Sequence, residues 1–373
     1  MGAMRARGGE PGPASKADRP EPILQEALLG LLRGHAPPAN ASPDVLDACL
    51  DRYECGGYLH HAWSGAGRPA SLPEAWREAL ARAHRRTLLD NLAALAQFRD
   101  LGPRLAEAGV PFLLLKGAAY LGDLYDDPGA RRLTDIDLLV RRSDAGRLAR
   151  RLSRDGFRGE VGGLFPEDRR FEMWRPGPAS CHFEFHWSLR LPFRFRIDED
   201  GIWERAVPVV LEGVPCSRAA REDALLYHVA HQADSYFGPS LKWVLDLREM
   251  LRRWRPAPEL LVARASAWRV RTALYLALRH LEKILPGEVP RSLLEGVQPG
   301  SLRGWLLERC LTEDALELLS VGASSPARYP VRCLMLDRPS DALALTLRVL
   351  VRPLERPLSR ACGRAVPPWQ WAD

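Results

Sequence analysis

The sequence predicts an α+β fold, in which a mixed β-sheet core carries helices on one face and is flanked by N-terminal and C-terminal helical regions. Three observations carry this expectation. Apolar residues recur at three- to four-residue spacing through long stretches on both sides of the centre, the pattern of amphipathic helices. From Val110 the periodicity changes to short apolar runs, Phe112–Leu115 and Ile136–Val140, bounded by turn residues, as strands require. Later strands come in adjacent runs, which argues against a doubly wound parallel sheet. The divisions expected are a disordered tail (1–20), an N-terminal helical region (21–109), the α/β core (110–215), a C-terminal helical domain (216–355) and an irregular Pro-rich tail (356–373).

Taken in order, the first helix covers Pro22–Leu32. The next starts with Ser42 as N-cap and Pro43 in its first turn. Gly56–Pro73 reads as a loop. Glu74–Gln97 has helical spacing of Leu80, Ala83, Leu88, Leu92 and Leu95, and a further short helix, Leu101–Ala108, ends at Gly109. Strand 111–115 leads through Lys116-Gly117 into a short helix to Tyr125, and Asp126-Asp127-Pro128-Gly129 is a turn. Strand Asp135–Val140 precedes a helix Ser143–Arg154. Strands follow at Phe157–Gly162, Arg170–Arg175 and Cys181–Leu189, then a short helix Asp198–Arg205 and an edge strand Val207–Leu211. Beyond Pro215 the chain reads as helical, at Ser217–Asp234, Leu241–Trp254, Pro258–Leu285 and shorter segments, with Trp243, Trp254, Trp268 and Trp305 as core residues.

Composition narrows the function. The 373 residues allow two or three domains with substantial cores. Hydrophobic content of 46% and charged content of 27% suit a soluble globular protein. No apolar run approaches the ~20 residues that span a bilayer, and the polar N-terminus lacks the apolar stretch of a signal peptide. Seven scattered cysteines without C-x-x-C spacing argue against a disulfide framework or a structural zinc and for a reducing cytoplasm. A net charge of +6 suits attraction of a polyphosphate. The arginines accompany a GC-codon bias and lack aromatic interleaving, so neither nucleic acid nor a membrane is expected as partner.

The chemistry concentrates in residues 111–140 and one later strand. Asp135 and Asp137 lie two apart on a strand and share a face. Two carboxylates held together in an otherwise apolar strand repel and lose hydration, which a divalent cation between them relieves. Glu184, flanked by Phe183 and Phe185 on the opposite face, offers a third carboxylate. Gly117 follows a strand and opens a helix, where free N–H groups suit phosphate, and Lys116 and Arg131 supply positive charge. Nucleotidyl transfer needs these parts: carboxylates for two divalent metals, donors for a triphosphate and a base for the acceptor.

The order strand–Gly–helix, D-h-D, then an acid on a further strand resembles the nucleotidyltransferase superfamily that includes DNA polymerase β. More narrowly, LKGAAY (115–120), PGARRLTDIDLLV (128–140), FEFHW (183–187), EDALLYHVAH (222–231) and LKWVLDL (241–247) are similar to a bacterial nucleotidyltransferase family, over roughly Val110 to Leu251. The resemblance implies Asp135, Asp137 and Glu184 as ligands of two Mg²⁺ ions. It puts Lys116, Gly117 and Arg131 at the triphosphate; apart from the resemblance, Lys242 could reach a phosphate. The implied donor is a nucleoside triphosphate, ATP foremost, and the implied acceptor a small molecule or a peptide from natural-product biosynthesis. The wider superfamily's usual Gly-Ser or Gly-Gly is Gly117-Ala118 here, so a serine hydroxyl is missing from the phosphate turn. The alternative to an enzyme is a non-catalytic nucleotide- or partner-binding module.

Other polar groups have blander readings beside functional ones. His182, Glu184 and His186 share a strand face and could hold zinc or iron, given a further ligand; otherwise His186 packs beside the active site. His228 and His231 fit an interhelical hydrogen bond or a helix lining the cleft. Lys242 and Asp246, four apart, fit an ion pair with each other.

Overall fold

The structure, a computed structural model, describes residues 22–38, 42–65, 72–161, 170–177, 180–189, 194–235, 237, 240–311 and 328–347. The two tails expected at the chain ends lie outside them.

Four helices lead: α1 (Pro22–Leu32), α2 (Pro43–Tyr53), α3 (Gly56–Ser64) and α4 (Glu74–Glu107). Ser42 is the N-cap of α2 with Pro43 in the first turn, as expected. Helix α3 replaces an expected loop, because its glycines serve close approach rather than turning. A Cβ on Gly56 would lie 2.6 Å from Ala83 Cβ, and one on Gly57 only 2.1 Å from the Gly129 carbonyl oxygen. Two expected helices merge into α4, which runs through Gly102-Pro103. Val214 fills the space a Cβ on Gly102 would take, at 2.4 Å. Gly109, at φ 62°, ends the helical stretch and turns the chain into the sheet.

The core elements are β1 (Phe112–Leu115), α5 (Lys116–Tyr120), β2 (Ile136–Val140), α6 (Arg142–Arg154), β3 (Arg158–Val161), β4 (Arg170–Trp174), β5 (His182–His186), α7 (Glu199–Glu204), β6 (Val207–Leu211) and β7 (Val214–Arg218). They form a seven-stranded mixed sheet of order β3-β4-β5-β2-β1-β7-β6. β2 lies antiparallel to β1 and parallel to β5, and β1 lies parallel to β7. β6 is the edge strand the sequence predicts.

Strand β7 corrects the expectation that the chain turns helical beyond Pro215. Glu212 and Gly213 have left-handed backbones, φ 50° and 75°, and join β6 to β7 as a two-residue hairpin. β1 pairs only with Ser217 and Arg218, so Pro215 sits past the end of that ladder, where its missing N–H does no harm. The sheet therefore extends beyond residue 215.

Helices α8 (Arg221–Asp234), α9 (Leu241–Glu249), α10 (Pro258–Trp268), α11 (Arg271–Ile284), α12 (Arg291–Val297), α13 (Ser301–Glu308) and α14 (Arg328–Leu334) follow, with a π-helical turn Met250–Trp254 after α9. One apolar core joins the leading helices, the sheet and these later helices. Trp254 and Trp268 are buried in it. Trp305 is not core: it is 52% exposed, with the Arg309 guanidinium 4.1 Å above its ring. The cysteines among the described residues are free, and no described helix is long and apolar enough to cross a membrane.

Candidate active site

Strand alternation gives the central sheet two unlike faces. Phe171, Phe183, Phe185, Ile136 and Leu138 form one, fully buried, with the Phe171 and Phe185 rings stacked at 4.8 Å. Asp137, Glu184 and His186 project from the other. A one-residue slip of β2 or β5 would thrust these polar groups among the phenylalanines, so burial fixes the register. Parallel pairing then sets Asp137 opposite Glu184 and Leu139 opposite His186.

The result is a compact group of donors. Ligand atoms of Asp137, Glu184 and His186 all lie within 4.8 Å of one another, and all three residues are buried. His186 Nε2 is 2.8 Å from Asp137 Oδ1 and 3.3 Å from Glu184 Oε2. Lys116 Nζ stands 2.7 Å from the same Asp137 oxygen, and Arg170 Nη1 donates to Glu184 Oε2 at 2.6 Å. Asp135 lies one residue ahead of β2, outside this three-member group, and accepts from the Thr134 hydroxyl at 3.1 Å.

Charge explains how such groups share one place. Burial opposes ionisation of Asp137, but the Lys116 ammonium and the His186 hydrogen bond outweigh it and hold the carboxyl far below its usual range. For Lys116 burial favours the neutral amine, and Asp137 reverses that, keeping it cationic. Burial likewise works against the charge on Glu184, yet its bond to His186 leaves the carboxyl lowered. Asp135 goes the other way: burial, and then the negative charge of Asp137, push it up to about 6. Two carboxylates and an imidazole nitrogen at this spacing fit a divalent cation.

Gly117, Arg131 and Lys242 occupy different surroundings. A Cβ on Gly117 would lie 2.5 Å from Arg131 Nη1 and 2.8 Å from Leu133 Cδ2, so the glycine makes room for the guanidinium. Arg131 is buried and forks onto Asp246, Nε and Nη2 each at 2.8 Å. Lys242 is held by Glu54 at 2.8 Å, not by Asp246, because the helix presents Asp246 to Arg131 and Lys242 to α2. Asn91 of α4, which the sequence does not single out, holds this loop from behind. Its amide donates to the Pro128 and Arg131 carbonyls and its oxygen accepts from the Leu133 N–H.

Residues 40–286, more than half of the chain, match a family described as uncharacterised nucleotidyltransferase. The chain belongs to that family. Membership brings a nucleotide substrate and points to transfer chemistry. The matched span is wider than the Val110–Leu251 stretch whose motifs show the resemblance, and takes in α2 to α4 upstream and α10 and α11 downstream. A solved structure, an antigenic nucleotidyltransferase-like protein from Paracoccidioides brasiliensis, is 17% identical, with 56% of this chain and 92% of that chain covered and a TM-score of 0.35. No curated protein matches.

In this nucleotidyltransferase-family protein His186 joins the acids, while His182 does not. His182 turns to Glu172 and stacks on Trp174. The sequence places both histidines on the Glu184 face by alternation; which one meets Asp137 depends on the β2–β5 register, which no local pattern reveals. His228 donates from Nε2 to the Trp243 carbonyl at 2.9 Å, the interhelical bond anticipated for it. His231 meets Trp243 edge to face.

Proposed function

We propose that this protein transfers a nucleoside monophosphate from a nucleoside triphosphate, ATP foremost, to a hydroxyl or phosphate of a small-molecule or peptide acceptor. The observation that carries the reading is the convergence of buried Asp137, Glu184 and His186 beside Lys116. Asp135, Asp137 and Glu184 would hold two Mg²⁺ ions, with His186 at their edge. When bound, such ions neutralise the phosphate oxygens and make the acceptor oxygen a better nucleophile.

The chain's own groups do the rest. The acceptor oxygen bonds to the α-phosphorus as the bond to the β-bridging oxygen breaks, and pyrophosphate leaves with that electron pair. Glu184 takes the acceptor proton. Lys116 and Gly117 form the turn that receives the triphosphate, and Arg131 shapes that turn through its contact with Gly117. Lys242, through Glu54, braces α9 against α2 behind it. Protein incubated with each labelled triphosphate and Mg²⁺ should release pyrophosphate and label an acceptor identifiable by mass spectrometry; an Asp137→Asn variant with undiminished turnover refutes the assignment.

One observation favours a second reading, a nucleotide- or partner-binding module without chemistry. Lys116, Arg170 and His186 already occupy one oxygen of Asp137 and one of Glu184. Nucleotide binding by calorimetry with no Mg²⁺-dependent pyrophosphate release supports the module.

A further inference from the structure

We propose that Lys116 is a built-in stand-in cation: its ammonium neutralises Asp137 in the metal-free protein, and a divalent ion entering between Asp137 and Glu184 must expel it. The inference rests on the reading of Asp137 and Glu184 as a cation site.

Three observations support it. The Lys116 ammonium sits 2.7 Å from Asp137 Oδ1, on the same oxygen that His186 approaches. That oxygen belongs to a donor set narrow enough for one ion to bridge, so the ammonium and a divalent ion compete for the same lone pairs.

The lysine also differs from its cationic neighbours. Arg131 is locked by two parallel bonds to Asp246, and Arg170 is half exposed, so water can solvate it when it lets go. Lys116 is a point charge on a flexible stem, held at its tip by Asp137. Its backbone takes φ 45°, a left-handed conformation unusual for a residue with a side chain, and it aims the stem back at the acids from the end of β1.

Behind the stem, the described residues offer the ammonium no second seat. The cavity beside the stem is lined by Leu114, Leu115, Ala119, Ile202, Ala224 and Tyr227, apolar apart from one phenol, and an ammonium pushed into it would be stranded. Once expelled from Asp137, the ammonium therefore turns away from that cavity, toward the side where the proposed anionic substrate would arrive. Filling of the cation site and presentation of the lysine to phosphate are then one event.

Calorimetric titration of chelator-stripped protein with Mg²⁺ and with Mn²⁺ tests this. Lys116→Met should bind each ion roughly tenfold tighter than wild type, equivalent to ~1.4 kcal/mol of relieved competition. Its Tm without metal should be lower and its Tm gain on saturation larger. Equal or weaker affinity in the variant overturns the inference.

A measurement on unaltered protein guards against misfolding of the variant. The chain has four lysines, Lys16, Lys116, Lys242 and Lys283. Acetylation read by mass spectrometry should quicken several-fold at Lys116 when Mg²⁺ is added, while Lys242, held by Glu54, keeps its rate. Unchanged or deeper protection of Lys116 sinks the proposal. If Asp137→Asn abolishes ion binding but Lys116→Met brings no gain and labelling stays flat, the stand-in role fails and the cation site survives. If neither wild type nor Lys116→Met binds a divalent ion at millimolar concentration, both fall together.

Discussion

Asp137 and Glu184 stand at one register in adjacent parallel strands, although 46 residues of chain separate them. Asp137→Asn should therefore reduce turnover on the order of a thousandfold with an unchanged circular dichroism spectrum. It also strands the Lys116 ammonium, and breaking one side of a buried pair destabilises by about 3 kcal/mol. Combining it with Lys116→Met should recover most of that loss in denaturant unfolding; a strictly additive double variant would mean that the pair is not coupled.

Gly117 is a packing position. Alanine is the better helix former, so Gly117→Ala would stabilise α5 if helix propensity ruled there. With Arg131 Nη1 at 2.5 Å from the added methyl, we expect instead a destabilisation of about 1–3 kcal/mol, measured by urea unfolding.

The Arg131–Asp246 fork lies deep beneath the site, with Tyr125 donating its hydroxyl to Asp246 Oδ1 at 2.8 Å. Asp246→Ala leaves a buried guanidinium without its counter-ion and should lower stability by about 3–5 kcal/mol. A loss below about 1 kcal/mol, the range of a surface pair, would show that water reaches Arg131.

His186 gives the site a pH dependence. Burial alone would lower its pKa, but hydrogen bonds to Asp137 and Glu184 raise it above the ordinary 6.5. A histidine raised in the folded state contributes stability that is full below pH 6.5 and is lost as pH climbs through the folded value. Metal-free protein should accordingly lose thermal stability as pH rises from 6.5, and His186→Gln should flatten that slope. Ion binding has the opposite sign: the ligand nitrogen must be unprotonated, so affinity grows over the same interval.

Much of this arrangement is legible in the chain. Alternation in FEFHW separates Glu184 from Phe183 and Phe185, and the two short apolar runs give β1 and β2 within a residue or so. Two kinds of feature escape local reading. Glycine has opposite meanings: Gly56, Gly57 and Gly102 mark tight packing, where the sequence suggests a loop or a break. Long-range pairing is the other. That Asp246 binds Arg131 rather than Lys242, and that His186 rather than His182 meets Asp137, follows from register and helix docking.

Strand β7 sits beside β1, yet it is translated only after every other strand of the sheet. On the ribosome, β1 must wait with one hydrogen-bonding edge bare until Arg218 has left the exit tunnel, and such edges recruit foreign strands. A nascent chain stalled between β5 and β7 could already pair Asp137 with Glu184 while remaining sticky, so overproduction should profit from chaperones or slow synthesis.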